Sequence, residues 1–371
     1  MMTSTENLKI GRPLPESIRN AIRVSYALRR VPESHFQILL PRPEPVRVGD
    51  IVLARVESIG KNVAMDIATG RRCGLHRGDL VAVVFGNRYA TLQFEGYARS
   101  DGDSCDLLSV GGLCGLVASK HDTVPEPSKL RIEGALGDAN GEPLRLQNFA
   151  LPDTSRADRR PRIAVVLGTA MDAGKTHTAR SVILGLRRQG IPVAGIKLTG
   201  TAAGRDTFTM LDAGACVALD FVDGGLPSTY RCGLPELLQL YRLLVGHAAT
   251  KGASWVVVEI ADGIIQGETA ALLASTRFAT TVDAWLLAAT DALGAAGALG
   301  MLRGMGISPL AVSGIVSRSA LGRREVEAST KIACLAAAEL EEGALNAKLL
   351  AAAPPAGLKV LSGEQAAVTL G

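Results

Sequence analysis

The sequence predicts an α/β protein in which a doubly wound, mainly parallel sheet follows a separate, small all-β domain (a barrel or a sandwich). Three observations carry that expectation. Beyond Arg162, apolar runs rich in β-branched residues at 163–167, 191–196, 255–260, 284–288 and 310–316 read as strands, and helical patterns at 234–250, 268–276, 292–304 and 323–340 lie among them. Strands that are apolar at nearly every position are buried on both faces, as parallel sheets covered by helices require. Before residue 150 the pattern is instead one of short β segments punctuated by Thr69-Gly70, Gly78-Asp79 and Gly86-Asn87. The third observation is the stretch Ile163-Ala-Val-Val-Leu-Gly-Thr-Ala-Met-Asp-Ala-Gly-Lys-Thr176, where an apolar strand enters a glycine-containing turn and then a helical pattern.

In chain order, 371 residues suggest two domains. Residues 1–45 supply a short amphipathic helix over 13–31 (Ile18, Ala21, Ile22, Tyr26 and Leu28 between Arg and Ser) and a proline-stiffened linker at 41–45. The small β domain spans 46–150, with strands at 51–56, 63–67 and 80–85. Gly86-Asn87 reads as a hairpin turn joining 80–85 to 88–94. The glycines of 109–115 lack the lysine and helix start of a phosphate loop and read as a bend. No constellation in this region carries chemistry, and a docking or oligomerisation module is its plainest role. A polar, charged, proline-bounded linker at 151–161 leads into a nucleotide-binding α/β domain at 162–371.

Composition narrows the function classes. Hydrophobic residues at 47% and charged residues at 20% describe a soluble globular chain. A net charge of +4, one basic cluster at 156–162 and 4% aromatics argue against nucleic acid as partner. The six cysteines have no paired spacing, and Cys73-Gly-Leu-His76 is a lone half-site, so buried free thiols in a reducing compartment are expected. Residues 1–12 lack a secretory pattern, and the apolar region 285–302 is broken by Asp291 and glycines, so neither export nor a membrane span is expected. The expected location is cytoplasmic.

The turn at 168–176 has the context of a phosphate-binding loop. Backbone N–H groups and the positive end of a helix face an anion there, a lysine adds charge, and a hydroxyl can ligate Mg²⁺. Lys175 and Thr176 fill those roles; Gly168, Thr169, Asp172, Ala173, Gly174 and His177 complete the nucleotide-binding candidates. The usual pattern has glycine where Thr169 stands, with Gly168 one step earlier. A threonine restricts the backbone but brings a hydroxyl near the phosphates. His177, in the first helical turn, also has the plainer reading of a surface histidine.

If the strands are parallel, their carboxyl ends share one crevice, and each delivers polar groups to it. These are Lys197-Leu-Thr-Gly200 with Arg205-Asp206, then Glu259-Ile-Ala-Asp-Gly263, then Thr290-Asp291, then Ser317-Arg318. Phosphoryl transfer needs charge neutralisation and in-line positioning more than covalent help. Lys175 and Lys197 are therefore candidate catalytic clamps, and Thr176, Asp206 and Glu259 candidate ligands for Mg²⁺. Glu259 is also counted as catalytic. Asp262 is either a ligand in its place or a base toward the substrate. Asp206 has the alternative reading of a helix N-cap.

With those residues in view, the chain resembles dethiobiotin synthetase. Gly168 to Thr176, Gly195-Ile-Lys197 with Gly200, Asp206, and Val258-Glu259 with Gly263 parallel that family's Gly-Thr…Gly-Lys-Thr loop, Gly-Tyr-Lys-Pro segment and Glu-Gly-Ala-Gly-Gly segment. Leu198 replaces the proline, and Ile260-Ala-Asp262 replaces Gly-Ala-Gly. The segment 204–215 is also similar to the GTP-binding adaptor protein of molybdopterin-guanine dinucleotide synthesis. The resemblance covers about 162–318 and implies a P-loop fold binding ATP, with GTP possible, and Mg²⁺. It implies phosphorylation of a small carboxylate or carbamate for attack by an amine, so the partners are a small acidic or amine-bearing substrate and, as in dethiobiotin synthetases, a second copy in a homodimer. Ser317 and Arg318 occupy the place where such proteins hold the base, with Ser in place of the common Asn. The competing expectation is a nucleotide-binding adaptor or switch, slow in hydrolysis, whose β domain holds a partner protein.

Overall fold

The structure, a computed structural model, describes residues 11–154 and 160–351. The linker expected at 151–161 lies only partly within them, as does the end of the expected α/β domain. The N-terminal part begins with β1 (Arg12–Pro13), a single-turn helix α1 (Glu16–Arg19), β2 (Arg23–Val24) and β3 (Ile38–Leu40). It continues through β4 (Ile51–Ser58), β5 (Ala64–Asp66), β6 (Arg72–Gly74), β7 (Leu80–Phe85), β8 (Phe94–Tyr97), β9 (Ser104–Leu107), β10 (Leu113–Lys120) and β11 (Ser128–Gly137). Strand β4 pairs with β7, β7 with β10, β10 with β9, β9 with β11 and β11 again with β4, so the ring closes as a small barrel.

Two periods of burial explain why β4 and β7 are apolar throughout. Val52, Ala54, Val81, Val83 and Phe85 fill the barrel with Met65, Leu107 and Ile132. The alternate residues Ile51, Leu53, Leu80, Ala82 and Val84 point outward, yet belong to a second buried cluster that also contains Tyr26, Leu28, Ile196, Ala202 and Phe221. Successive strand residues face opposite sides, so each side needs its own cover. The expected separateness of the β domain is thus not what the packing gives: the barrel's outer face and the C-terminal sheet share one core.

The C-terminal sheet has β12 (Arg162–Gly168), β13 (Val193–Lys197), β14 (Ala218–Asp220), β15 (Trp255–Glu259), β16 (Ala284–Ala288) and β17 (Ala311–Ser313), in the order β14-β13-β15-β12-β16-β17. Every pairing is parallel. Interleaved are α2 (Lys175–Arg188), α3 (Gly204–Asp212), α4 (Leu234–Thr250), α5 (Gly267–Ala274), α6 (Thr276–Ala279) and α7 (Ala292–Gly304), followed by α8 (Ala320–Thr330), α9 (Ala337–Glu341) and α10 (Asn346–Ala351). Ala164 and Val166 face a cluster with Val182, Ile183 and Leu186 of α2. Ile163, Val165 and Leu167 face the opposite cluster with Leu237, Leu240 and Leu244 of α4. Helices therefore cover both faces, the doubly wound arrangement expected.

Several local expectations are corrected. The helix at 13–31 reduces to α1, because Val24, Ser25, Tyr26, Ala27 and Leu28 are all buried, and a helix on a surface buries one stripe, not five successive residues. The chain instead runs as β2 alongside β7 and then a 3-10 turn at Tyr26–Leu28. Gly86-Asn87 is no hairpin turn: β7 lies between β4 and β10, and the next strand, β8, pairs with β10. The helix at 323–340 is divided, since Lys331 takes a left-handed conformation (φ 62°) and Cys334 bridges to Val312 beside β17. All six cysteines are free; Cys105, Cys114 and Cys334 are buried, but Cys216 is exposed. No helix among the described residues is long and apolar enough to cross a membrane.

Polar contacts lock the N-terminal segment to the C-terminal sheet. Tyr26 Oη lies 2.6 Å from Thr207 Oγ1 and donates to Asp220 Oδ2 at 3.0 Å. Arg29 Nη2 donates to Asp220 Oδ1 at 2.8 Å and Asp223 Oδ2 at 2.6 Å, with its guanidinium 4.4 Å from the Tyr26 ring centre. Burial works against the charge of Arg29, but Asp220 and Asp223 hold its pKa above the ordinary arginine value. Removing one partner of a buried ion pair strands the other and costs about 3–5 kcal/mol. We therefore expect Arg29→Ala to lower unfolding stability by about 3 kcal/mol in urea titrations, with secondary structure retained by circular dichroism; a loss within error of zero would show that the two parts do not depend on this contact.

Candidate nucleotide site

Parallel strands carry their loops out at one edge of the sheet, and the candidates gather there. β12 ends at Gly168, and the chain turns through 169–174 before α2 opens at Lys175. The turn needs unusual backbone: Asp172 has φ 60° and Gly174 φ 94°. A Cβ on Gly174 would also stand 2.9 Å from Gly314 Cα, so glycine is required twice over. The Thr169 hydroxyl accepts a 3.4 Å hydrogen bond from the Thr290 amide, tying the turn to the loop after β16. Ala173 is held from the other side, its carbonyl accepting from the Ile315 amide at 3.1 Å.

The charged groups lie together. Lys175 is buried, and its Nζ donates to the Ala170 carbonyl at 2.7 Å, curling over the turn it belongs to. Thr176 Oγ1 donates to Glu259 Oε1 at 2.8 Å and lies 3.5 Å from Asp206 Oδ1. Lys197, at the end of β13, pairs with Asp206. Asp206 lies inside the first turn of α3, whose N-cap is Ala203, so it is not the cap. Glu259 is 2% exposed and its Oε2 has no hydrogen-bond partner. Burial raises the Glu259 pKa, against the pull of Lys197. Burial likewise raises Asp262, with Lys175 and Lys197 opposing, and lowers Lys175, with Glu259 opposing. Lys197 is pushed down by burial but ends above the ordinary lysine value because Asp206 and Glu259 are beside it. Asp262 has φ 62°, a strained conformation for a residue with a Cβ, of the kind that persists where surroundings impose it.

These groups line a cleft of about 780 Å³. Asp172, His177 and Arg318 also line it; Ser317 is buried with its hydroxyl donating to the Gly314 carbonyl at 2.8 Å, so it supports the loop against Gly174. His177 Nδ1 lies 3.4 Å from Arg180 Nη1, and burial lowers its pKa. The other wall was not foreseen. Lys61, Arg72, Arg88, Gln93 and Ser109 line the same cleft from the barrel, so side chains of the β region face the candidate site. Nothing periodic marks these residues; the one visible signal is a charged Arg88 opening the segment 88–94 expected to follow a hairpin turn.

The donor set fits Mg²⁺. The Thr176 hydroxyl and the Asp206 and Glu259 carboxylates are hard oxygen ligands, and the unpartnered Glu259 Oε2 is an acceptor awaiting a donor or cation. Among the described residues no three His, Cys, Asp or Glu side chains form a metal cluster; Mg²⁺ typically takes one or two carboxylates and completes its shell with phosphate and water.

A parallel sheet with a Gly-Lys-Thr turn between its inner strand β12 and α2, and a carboxylate ending the adjacent strand β15, together have the arrangement of a P-loop nucleotide-binding fold. No family model and no curated protein matches the sequence. Among solved structures, the chain is similar to signal recognition particle 54 kDa protein from Aeropyrum pernix in complex with GDP (21% identity, 56% of this chain and 50% of that one, TM-score 0.35). It is also similar to the signal recognition particle receptor FtsY from Elizabethkingia anophelis in complex with GDP (13%, 43% and 50%, 0.29) and to chloroplast FtsY from Physcomitrella patens (14%, 51% and 62%, 0.34). Each likeness is partial, and the matches span about half of those chains in the first two cases.

Glu259→Gln keeps the shape of the side chain but removes the charge next to Thr176 and Lys197. We expect NTP turnover to fall by about 10²-fold or more, while affinity for a fluorescent nucleotide stays within about threefold. Equal losses in both would mark Glu259 as a structural carboxylate.

Proposed function

We propose that the protein is a Mg²⁺-dependent enzyme that transfers the terminal phosphoryl group of ATP, or of GTP, to a small acidic molecule lying between the turn at 168–176 and the barrel. The observation that carries this reading is the convergence of Lys175 at the start of α2 and Lys197 at the end of β13 with Thr176, Asp206 and Glu259 in a cleft roomy enough for an acceptor beyond the phosphates. Phosphate oxygens would replace the Ala170 carbonyl as the partner of Lys175. Lys197, now spent on Asp206, would turn to the transferring group as Asp206 turns to the cation. Both lysines would then neutralise charge that grows during transfer. The Thr176 hydroxyl and the Asp206 and Glu259 carboxylates would hold Mg²⁺, which would supply neutralisation of phosphate charge. Asp262, kept less acidic by burial, is suited to orient the acceptor and to take the proton that the attacking amine gives up in the later step. Ligase-like chemistry of the dethiobiotin synthetase kind, in which a carboxylate or carbamate is activated for attack by an amine, belongs to this proposal, as do a homodimer and a cytoplasmic site of action.

A second reading, a nucleotide switch with slow hydrolysis, draws on a specific contact. Gly111 of the barrel abuts Ala202, where a Cβ would stand 1.9 Å from the Ala202 carbonyl oxygen, and Tyr26 bonds Thr207 in α3. Any shift of Asp206 on cation binding would press on the barrel through these contacts.

The readings separate when purified protein is given Mg-ATP or Mg-GTP with and without a panel of amino and carboxylic acids. Release of nucleoside diphosphate stimulated by an acceptor is expected, and Lys175→Ala should reduce it by at least about 10²-fold. Tight nucleotide binding with slow, acceptor-independent release favours the switch; transfer that survives Lys175→Ala removes the phosphate-loop assignment.

A further inference from the structure

The barrel wall of the cleft contains a cation without a counter-ion. Arg88 follows β7 and is 8% exposed. Several other arginines of the barrel are more exposed and paired: Arg23 with Asp79, Arg55 with Glu133, Arg72 with Asp66 and Arg145 with Asp50. Arg88 donates Nη1 to the Leu108 carbonyl and Nη2 to Gln93 Oε1 at 3.3 Å, both uncharged acceptors. Its Nε is buried with no partner, and among the described residues no carboxylate stands within 4.0 Å of the guanidinium. Asp262 acts on it from across the cleft, but that carboxyl is also drawn on by Lys175 and Lys197. Burial lowers the Arg88 pKa to about 10, which still leaves it cationic at neutral pH.

A buried guanidinium held by two neutral acceptors is costly and is kept where a planar oxyanion completes it. The cleft as a whole has the same need, since seven Lys and Arg side chains line it against four carboxylates. We propose that Arg88 is the receptor for a carboxylate of the small molecule that occupies the barrel side of the cleft. The ligand class is a compact acid with a second polar group, its carboxylate on the Arg88 fork and its other end toward Asp262, Lys175 and Lys197. Gln93 and the Leu108 carbonyl fix the plane of the fork, so the site selects a planar anion over a point charge. The proposal rests on the phosphoryl-transfer reading for what happens to the second group, and not for the binding of the first.

The test uses glutarate and its neutral isostere glutaramide as probes, titrated calorimetrically into the full chain with and without a non-hydrolysable Mg-nucleotide analogue. Glutarate should bind the wild-type protein at least about tenfold more tightly than glutaramide, as loss of a charge-assisted bidentate bond implies. Arg88→Gln should abolish that preference and Arg88→Lys should recover only part of it, while nucleotide affinity in both stays within about twofold. If Arg88→Gln does not fold, the wild-type and Arg88→Lys comparison decides alone. Glutarate binding that is absent in the wild type, equal to glutaramide, or indifferent to Arg88 overturns the proposal. So does a loss of nucleotide affinity in Arg88→Gln with glutarate binding intact, which would assign Arg88 to the phosphates. Failure of the nucleotide to bind, with glutarate still held by Arg88, would defeat the phosphoryl-transfer reading and leave this one standing.

Discussion

Charge taken out of water ahead of its ligand is the constraint on which this structure turns. Lys175, Glu259 and Arg88 are all buried, and each buried ion costs several kcal/mol unless matched. Neighbouring groups partly match them: Lys175 rests on a carbonyl, Thr176 donates to Glu259, and Lys197 pairs with Asp206. What stays unmatched is informative. Glu259 Oε2 and Arg88 Nε are buried polar atoms without partners, and the residues that carry them both line one cleft. One asks for a cation or donor, the other for an anion. A Mg-nucleotide together with a carboxylate-bearing molecule meets both demands.

The fold supplies the rigidity that such a site needs. Lys175, Lys197 and Glu259 sit at the ends of neighbouring parallel strands or in the turn directly after one, and the register of β12, β13 and β15 fixes their spacing. The barrel wall is held as firmly. Tyr26 and Arg29 reach Thr207, Asp220 and Asp223, so the segment that covers the barrel's outer face also grips α3 and β14. Because Asp206 belongs to α3, the metal-side carboxylate and the barrel are mechanically joined.

What the sequence revealed divides along physical lines. The parallel sheet was legible because strands buried on both faces leave unmistakable apolar runs, and the turn at 168–176 because its backbone demands specific residues. The N-terminal segment was misread since Ile18, Ile22 and Tyr26 have helical spacing, while the burial of five successive residues from Val24 is decided by tertiary cover that no local pattern encodes. Gly86-Asn87 carried a hairpin signal, but β7 was already committed to β4 and β10. Strand β14 was missed because its three residues end in Asp220, whose acidity reads as surface until Arg29 is brought to it across 191 residues.

The same reasoning explains why the barrel could not be given a role from the sequence. Lys61 and Arg88 come from different loops and Arg72 from the β5-β6 pair, and only the tertiary fold brings them to one wall. A P-loop alone leaves its phosphates open to water on the side away from the sheet. Here that side is faced by the barrel, so an acceptor would be enclosed between two rigid walls, and transfer to water would compete less well with transfer to a bound acid. Enclosure of this kind would serve little in a protein that only stores a nucleotide. The proposed transfer to a small anion draws on this second wall and its buried arginine, whereas the switch reading draws on the contacts of Gly111 and Tyr26 with the loop and helix that carry Asp206.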